Sequence, residues 1–317
     1  MADLTFKLYA LDDNEIKPKA VLSYELSRDA DAACDGLRLN LLLDEAGAEL
    51  YTVKAFYGKV CAFNGYVDTQ RESINANGST CFLYCRSSAC LLVDSEAKPF
   101  TYNSPSVNAL FEIDICDGFR LCMDNVFSDI QYQVSKGTSK FGLLNDFVFN
   151  VTGNRIRVNS KNEIVMLKSE RVIKIDRDGI LSVKREINRG NAVMGVDYKL
   201  NSSDDYLYHR VSRFMQKKRI SATRMLNMSN VPDWQRETRL SSFVSNANAG
   251  YCCWELKLSG YADIDLADII RTDLDGFDDY GDVVAVGIRH TCNASGEYTI
   301  IKAYSALDLE ELSYVDE

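Results

Sequence analysis

His209 and His290 are the only imidazoles in the 317-residue chain, and a histidine-based nucleophilic triad or multi-histidine metal centre needs more than they supply. His209, beside Arg210 in a polar segment that reads as helix, and His290, at the end of a strand-like run, both read as ordinary surface residues. Thiols are more plentiful. Cys81, Cys85 and Cys90 are separated by three and four residues, unlike the tight pairs of zinc ribbons, and they read as small buried hydrophobes. Cys252 and Cys253 are neighbours in a strand pattern, so they point to opposite faces and do not suit one ion. Eight aspartates lie between positions 263 and 282. A calcium loop built on Gly276 puts Arg271 at the first ligand position, where a cation repels the ion. The stretch around Asp273, Asp275 and Asp278 therefore reads as a solvated acidic loop at the surface.

No Gly-x-Ser-x-Gly elbow, phosphate loop or dinucleotide fingerprint occurs in the chain. Carboxylates are so numerous that a two-carboxylate glycosidase has no distinguishing mark, because its signature is a spatial separation. The basic run Lys217, Lys218, Arg219 with Arg224 has Phe214 and Trp234 nearby. In a chain of net charge −10 this patch reads as a protein-contact surface, not a specific nucleic-acid site. The sequence thus predicts no catalytic residue, no cofactor and no metal.

Charge is distributed in blocks. Residues 1–154 sum to −8, residues 155–240 to +9 and residues 241–317 to −11. Such blocks either pair within a chain or steer one subunit onto the next. The N-terminal MADLTFKLYALDDNEIKPKA lacks a basic start and an apolar run, which predicts synthesis without a secretory signal, reduced cysteines and no membrane insertion.

The elements that must position these residues are mostly strands. Alternating runs at 5–11, 20–27, 37–43, 50–57 and 59–69 are punctuated by turn residues, and Asn77-Gly78 marks a hairpin. A short helix capped by Ser87 or Ser88 is expected over 87–97, stopped by Pro99. Residues 104–150 read as more helical, with Gly153 closing a helix, and a hairpin follows at 155–168. Strands resume to about residue 200, the segment 206–226 fits a helix better than a strand, and the C-terminal part returns to strands. The expected fold class is α+β and β-rich: a barrel- or sandwich-like β domain at 1–103, a mixed α/β domain at 104–168, and a second β domain at 169–317 with a helical excursion around 201–245.

Several segments carry a resemblance. GYVDTQ (65–70) followed by CRSSACLLVDSEAKP (85–99), then TYNSPSVNALFEIDICDGF (101–119) and SKFGLLNDFVFNVTGNRIRVNSKNEIVML (139–167), with GDVVAVGI and EYTIIKAYS near the C-terminus, resemble in order the segments of baseplate hub proteins of contractile phage tails, tailocins and related injection systems. The resemblance implies a structural, non-enzymatic homotrimer with two tail-tube-like β domains per chain. Its ring would join a sixfold tail tube or tube-initiator protein to a threefold central spike, among other baseplate and tape-measure components. It also implies synthesis in a bacterial cytoplasm and incorporation in a virion or tail-like particle. A tail-tip cell-wall hydrolase and a carbohydrate- or receptor-binding β protein are the alternatives.

Overall fold

The computed structural model describes residues 4–44, 47–75, 78–115, 117–129, 131–168, 171–202, 205–229, 231–277, 279, 281–306 and 313–314. The chain forms two compact units. Unit 1 comprises residues 1–168, 257–266 and 286–301, and unit 2 comprises residues 169–256, 267–285 and 302–317.

Unit 1 begins with seven strands: β1 (Leu4–Ala10), β2 (Glu15–Ile16), β3 (Ala20–Asp29), β4 (Gly36–Leu43), β5 (Leu50–Tyr57), β6 (Val60–Asn75) and β7 (Gly78–Ser87). They are antiparallel neighbours in the order β3-β4-β7-β6-β5-β1-β2. Strand β4 shows why: Leu37, Leu39 and Leu41 are fully buried while Arg38 and Asn40 are exposed, the period-two pattern of a sheet with one apolar face. That face packs Leu8, Leu26, Phe63 and Leu83 into one core.

The Gly-Tyr-Val-Asp segment has a steric explanation here. A Cβ on Gly65 would lie 2.2 Å from the Arg86 carbonyl oxygen and 2.7 Å from the Phe63 ring, so only glycine lets β6 approach β7. Gly65→Ala is expected to cost about 2–3 kcal/mol of stability by overpacking, measured as a lower urea midpoint; an unchanged midpoint refutes the explanation. A bulge between Val67 and Thr69 leaves Asp68 out of the ladder. There it pairs with Arg86 at 2.5 Å, while Arg86 also reaches Asp94 at 2.6 Å. One guanidinium thus joins the bulge to the end of α1 (Cys90–Val93). This helix is shorter than the expected 87–97 and has no side-chain cap. Ser87 ends β7 instead, and its hydroxyl accepts a hydrogen bond from the Asp35 amide.

The mixed part of unit 1 follows as β8 (Phe100–Tyr102), α2 (Val107–Asp114), β9 (Arg120–Leu121), β10 (Tyr132–Val134), α3 (Lys140–Thr152), β11 (Arg155–Val158) and β12 (Glu163–Leu167). Ser106 and Ser139 cap the two helices by accepting from Ala109 N and Gly142 N, and Gly153 closes α3 in the left-handed region at φ 75°. Leu110, Leu143, Phe147 and Ile164 are buried in one separate core. The expected hairpin forms between β11 and β12, its turn held by Asn159 Oδ1, which accepts from Lys161 N and Glu163 N.

Unit 2 contains β13 (Val172–Lys174), β14 (Ile180–Ile187), β15 (Gly195–Lys199), β16 (Tyr208–Val211), α4 (Arg213–Lys217), β17 (Thr223–Asn227), α5 (Asp233–Asn248), part of β18 (Cys252–Ser259), β19 (Ile269–Arg271), parts of β20 (Asp282–Asn293) and β21 (Gly296–Ala306), and β22 (Ser313–Tyr314). Strands β17-β15-β16-β22 form a four-stranded sheet, and Leu240 and Val244 of α5 pack on Val196 and Tyr198 of β15. Residues 206–226 therefore differ from the expected helix. Two strands flank the five-residue α4, because β15 offers both its edges, to β16 antiparallel and to β17 parallel. The long helix comes later in the chain.

The fold is β-rich with a large, mainly antiparallel sheet. Its main strand path runs β14-β18-β21-β20-β3-β4-β7-β6-β5-β1-β2. Among the described residues no closed barrel forms, one of the two forms, barrel or sandwich, that the strand spacing left open.

Candidate assembly surfaces

The residues singled out by charge lie in unit 2. Lys217 ends α4, Lys218 follows with its Nζ 5.3 Å from the Phe214 ring centroid, and Arg219 adopts φ 60°. The Lys218 carbonyl accepts a hydrogen bond from Arg189 at 2.7 Å, which pins the turn. Lys217, Arg219 and Arg224 are exposed. Arg224 lies on β17, the last strand of its sheet, beside Met225, which is 69% exposed. The Trp234 side chain lies outside the described residues.

Asp273 and Asp275 are exposed on the loop after β19, and Asp278 lies outside the described residues. The loop is anchored by Phe277, fully buried against Trp254 with ring centroids 4.8 Å apart. The Arg185 guanidinium covers the same indole at 5.3 Å, and Arg271 pairs with Asp282 behind the loop. An acidic loop on a fixed base presents charge without paying the full ordering entropy on contact.

Edge strands supply backbone donors and acceptors. Strand β14 ends the main path and is exposed or half-buried along its whole length, with Leu181 58% exposed. An edge of this kind is a template for pairing with another chain.

Sequence spacing gave no hint of a charge cluster inside unit 1. Arg28 of β3, Asp35, Arg157 of β11 and Asp265 come from four separate segments. Arg28 lies 3.5 Å from both Asp35 and Asp265, Arg157 lies 3.7 Å from Asp35, and Arg157 also hydrogen-bonds Asp265. Arg28 further donates to the Ala62 and Ile264 carbonyls at 2.6 and 3.5 Å. Burial pushes the Asp35 carboxyl up more strongly than Arg157 and Arg28 pull it down. For Asp265, burial is outweighed by Arg157 and Arg28, which hold its carboxyl below the usual value.

The histidines also differ from expectation. His290 is 1% exposed, stacked on Tyr261 at 4.3 Å, because strand alternation points it inward with Leu26 opposite. His209 is half-buried on β16, its Nδ1 2.8 Å from Asp197 Oδ1, and Asp197 Oδ2 accepts from the Thr223 hydroxyl at 3.1 Å. Three adjacent strands are cross-linked by this bond set. Cys81, Cys85, Cys90 and Cys252 are buried free thiols.

No family model matches the sequence, and no curated protein matches it. Solved structures do match, over nearly the whole chain. The tail protein from Neisseria meningitidis MC58 superposes with a TM-score of 0.76 at 12% identity, covering 96% of each chain. The 43 kDa tail protein of prophage MuSo2 from Shewanella oneidensis gives 0.76 at 13% identity, covering 96% of this chain and 99% of that one. The chain has the fold of phage tail proteins. The same tail-protein fold extends to the E. coli c3393 protein, described as a type VI secretion component similar in structure to the T4 tail proteins gp27 and gp5, with a TM-score of 0.62 at 10% identity over 99% of this chain and 79% of that one.

Proposed function

We propose that the protein is a structural, non-enzymatic baseplate hub of a contractile tail or related particle. Three copies form a ring that joins a sixfold tail tube to a threefold spike. The observation that carries this reading is the end-to-end likeness to tail proteins, 96% of this chain against 96% and 99% of theirs. In the ring, the two tail-tube-like β portions of each chain supply six similar positions. Exposed edges such as β14 gain backbone partners from neighbouring subunits, and closure removes the aggregation hazard of an open sheet.

Within this reading the basic turn at Lys217, Lys218 and Arg219 with Arg224, and the acidic loop at Asp273, Asp275 and Asp278, are contact surfaces toward neighbouring baseplate proteins. Negative-stain imaging with mass photometry of the purified protein is expected to show threefold rings of about three chain masses. A monomer at every concentration, or cleavage of peptidoglycan by the purified chain, overturns the proposal.

A further inference from the structure

The outward face of the unit 1 sheet carries a second kind of surface. Strand register decides which side chains share it, since opposed residues of an antiparallel pair point to one side. Lys7 is opposite Lys54, Lys54 is opposite Asn64, Thr52 is opposite Tyr66, and Arg71 is opposite Phe82. Cations lie over rings across the strands: Lys7 over Phe56 at 5.9 Å, Lys54 over Tyr9 at 6.0 Å and Arg71 over Phe82 at 5.8 Å. These separations are near the outer limit of a cation–π contact, so the cations are loosely held.

Lys7 and Arg71 are exposed and Lys54 is half-buried. None of the three forms an ion pair among the described residues, in a chain where acidic residues outnumber basic ones 46 to 36. The outward positions on β1, β5, β6 and β7 hold cationic, aromatic, hydroxyl, amide and thiol side chains and no aliphatic one, and the Asp68 carboxylate at the bulge is taken up by Arg86. Cations alternating with π-faces on an open sheet suit a ligand whose phosphates meet the cations while its bases stack on the rings.

We propose that this face binds single-stranded nucleic acid without sequence preference. Lys7, Lys54 and Arg71 swing off Phe56, Tyr9 and Phe82 to meet phosphates, and the uncovered rings take the bases. The inference uses unit 1 alone and does not depend on the hub reading. A ring that ignores nucleic acid, or a monomer that binds it, tells the two apart.

The test is fluorescence anisotropy of the full chain with labelled oligo-dT and oligo-U of about 20 nucleotides, whose comparison separates DNA from RNA. Three phosphate contacts give a slope of log affinity against log salt of roughly −2. The triple variant Lys7→Ala, Lys54→Ala, Arg71→Ala is expected to bind about tenfold more weakly with a slope near zero. Tyr9→Leu with Phe82→Leu is expected to weaken binding about fivefold and keep the slope. Circular dichroism checks that the variants fold; should the triple variant fail, Arg71→Ala and the wild-type slope serve instead. Absence of binding by the wild type, a salt-independent affinity, equal competition by polyglutamate, or unchanged binding by the folded variants overturns the proposal.

Discussion

Replacing Arg28 with methionine is expected to lower the unfolding free energy by about 3–5 kcal/mol, the cost of breaking a buried ion cluster from one side. Arg28 is 9% exposed and Asp35 14%, so neither has water to fall back on. Removal of the guanidinium leaves Asp35 with Arg157 alone and takes away the donor that the Ala62 carbonyl accepts from at 2.6 Å. Methionine keeps most of the volume, so the loss is electrostatic and not a cavity. The control is Arg38→Met. Arg38 pairs with Glu25 at 2.6 Å but is 60% exposed, and pairs of that kind contribute about 0–1 kcal/mol. Urea denaturation of both variants decides the matter; equal losses would show that the cluster carries no special weight.

Stability is expected to fall as pH drops below about 6.5, and a single imidazole accounts for much of the slope. Burial, followed by the nearby Arg28 charge, pushes the His290 value down to about 3. The hydrogen bonds explain the resistance to protonation. Thr299 Oγ1 accepts from Ala262 N and gives its one proton to the Gly260 carbonyl, so it can only accept from His290 Nδ1, 2.9 Å away. The proton therefore sits on Nδ1, and Nε2 is a buried lone pair without a hydrogen-bond partner among the described residues. Because the folded value lies below the unfolded one, the unfolded chain binds the proton first, and acid favours unfolding. The loss is about 2 kcal/mol by pH 5 and about 4 kcal/mol by pH 3.

His290→Gln is expected to flatten this slope between about pH 4.5 and 6.5. Asp265, held low, adds loss of the same sign at more acid pH, whereas Asp35, pushed up, adds the opposite sign. The comparison of variant with wild type isolates the imidazole. Parallel stability curves for the two proteins would refute the assignment.

Local signals were legible where a short segment carries its own physics. The caps Ser106 and Ser139, the left-handed Gly153 and the 155–168 hairpin follow from backbone groups satisfied within a few residues. The leucines of β4 announce a half-buried strand on their own. Reading failed between residues 206 and 226, where two strands flank a short helix, because the decision there belongs to β15, which pairs with both strands. It failed again at His290, read as an ordinary surface residue at the end of a strand-like run, although strand parity turns it inward.

By itself, then, the sequence determined a β-rich chain with only two histidines, its strand periodicity, its helix ends and its blocks of charge. These depend on neighbours within about one element's length. Tertiary structure alone decided that Arg28, Asp35, Arg157 and Asp265 meet, that Arg86 joins Asp68 to Asp94, and that Lys7, Lys54 and Arg71 share one face. The shared face depends on register between strands, where a slip of one residue would send every side chain to the opposite face, and the ion clusters depend on loops and a helix end that strand pairing brings beside Arg28, Arg157 and Arg86.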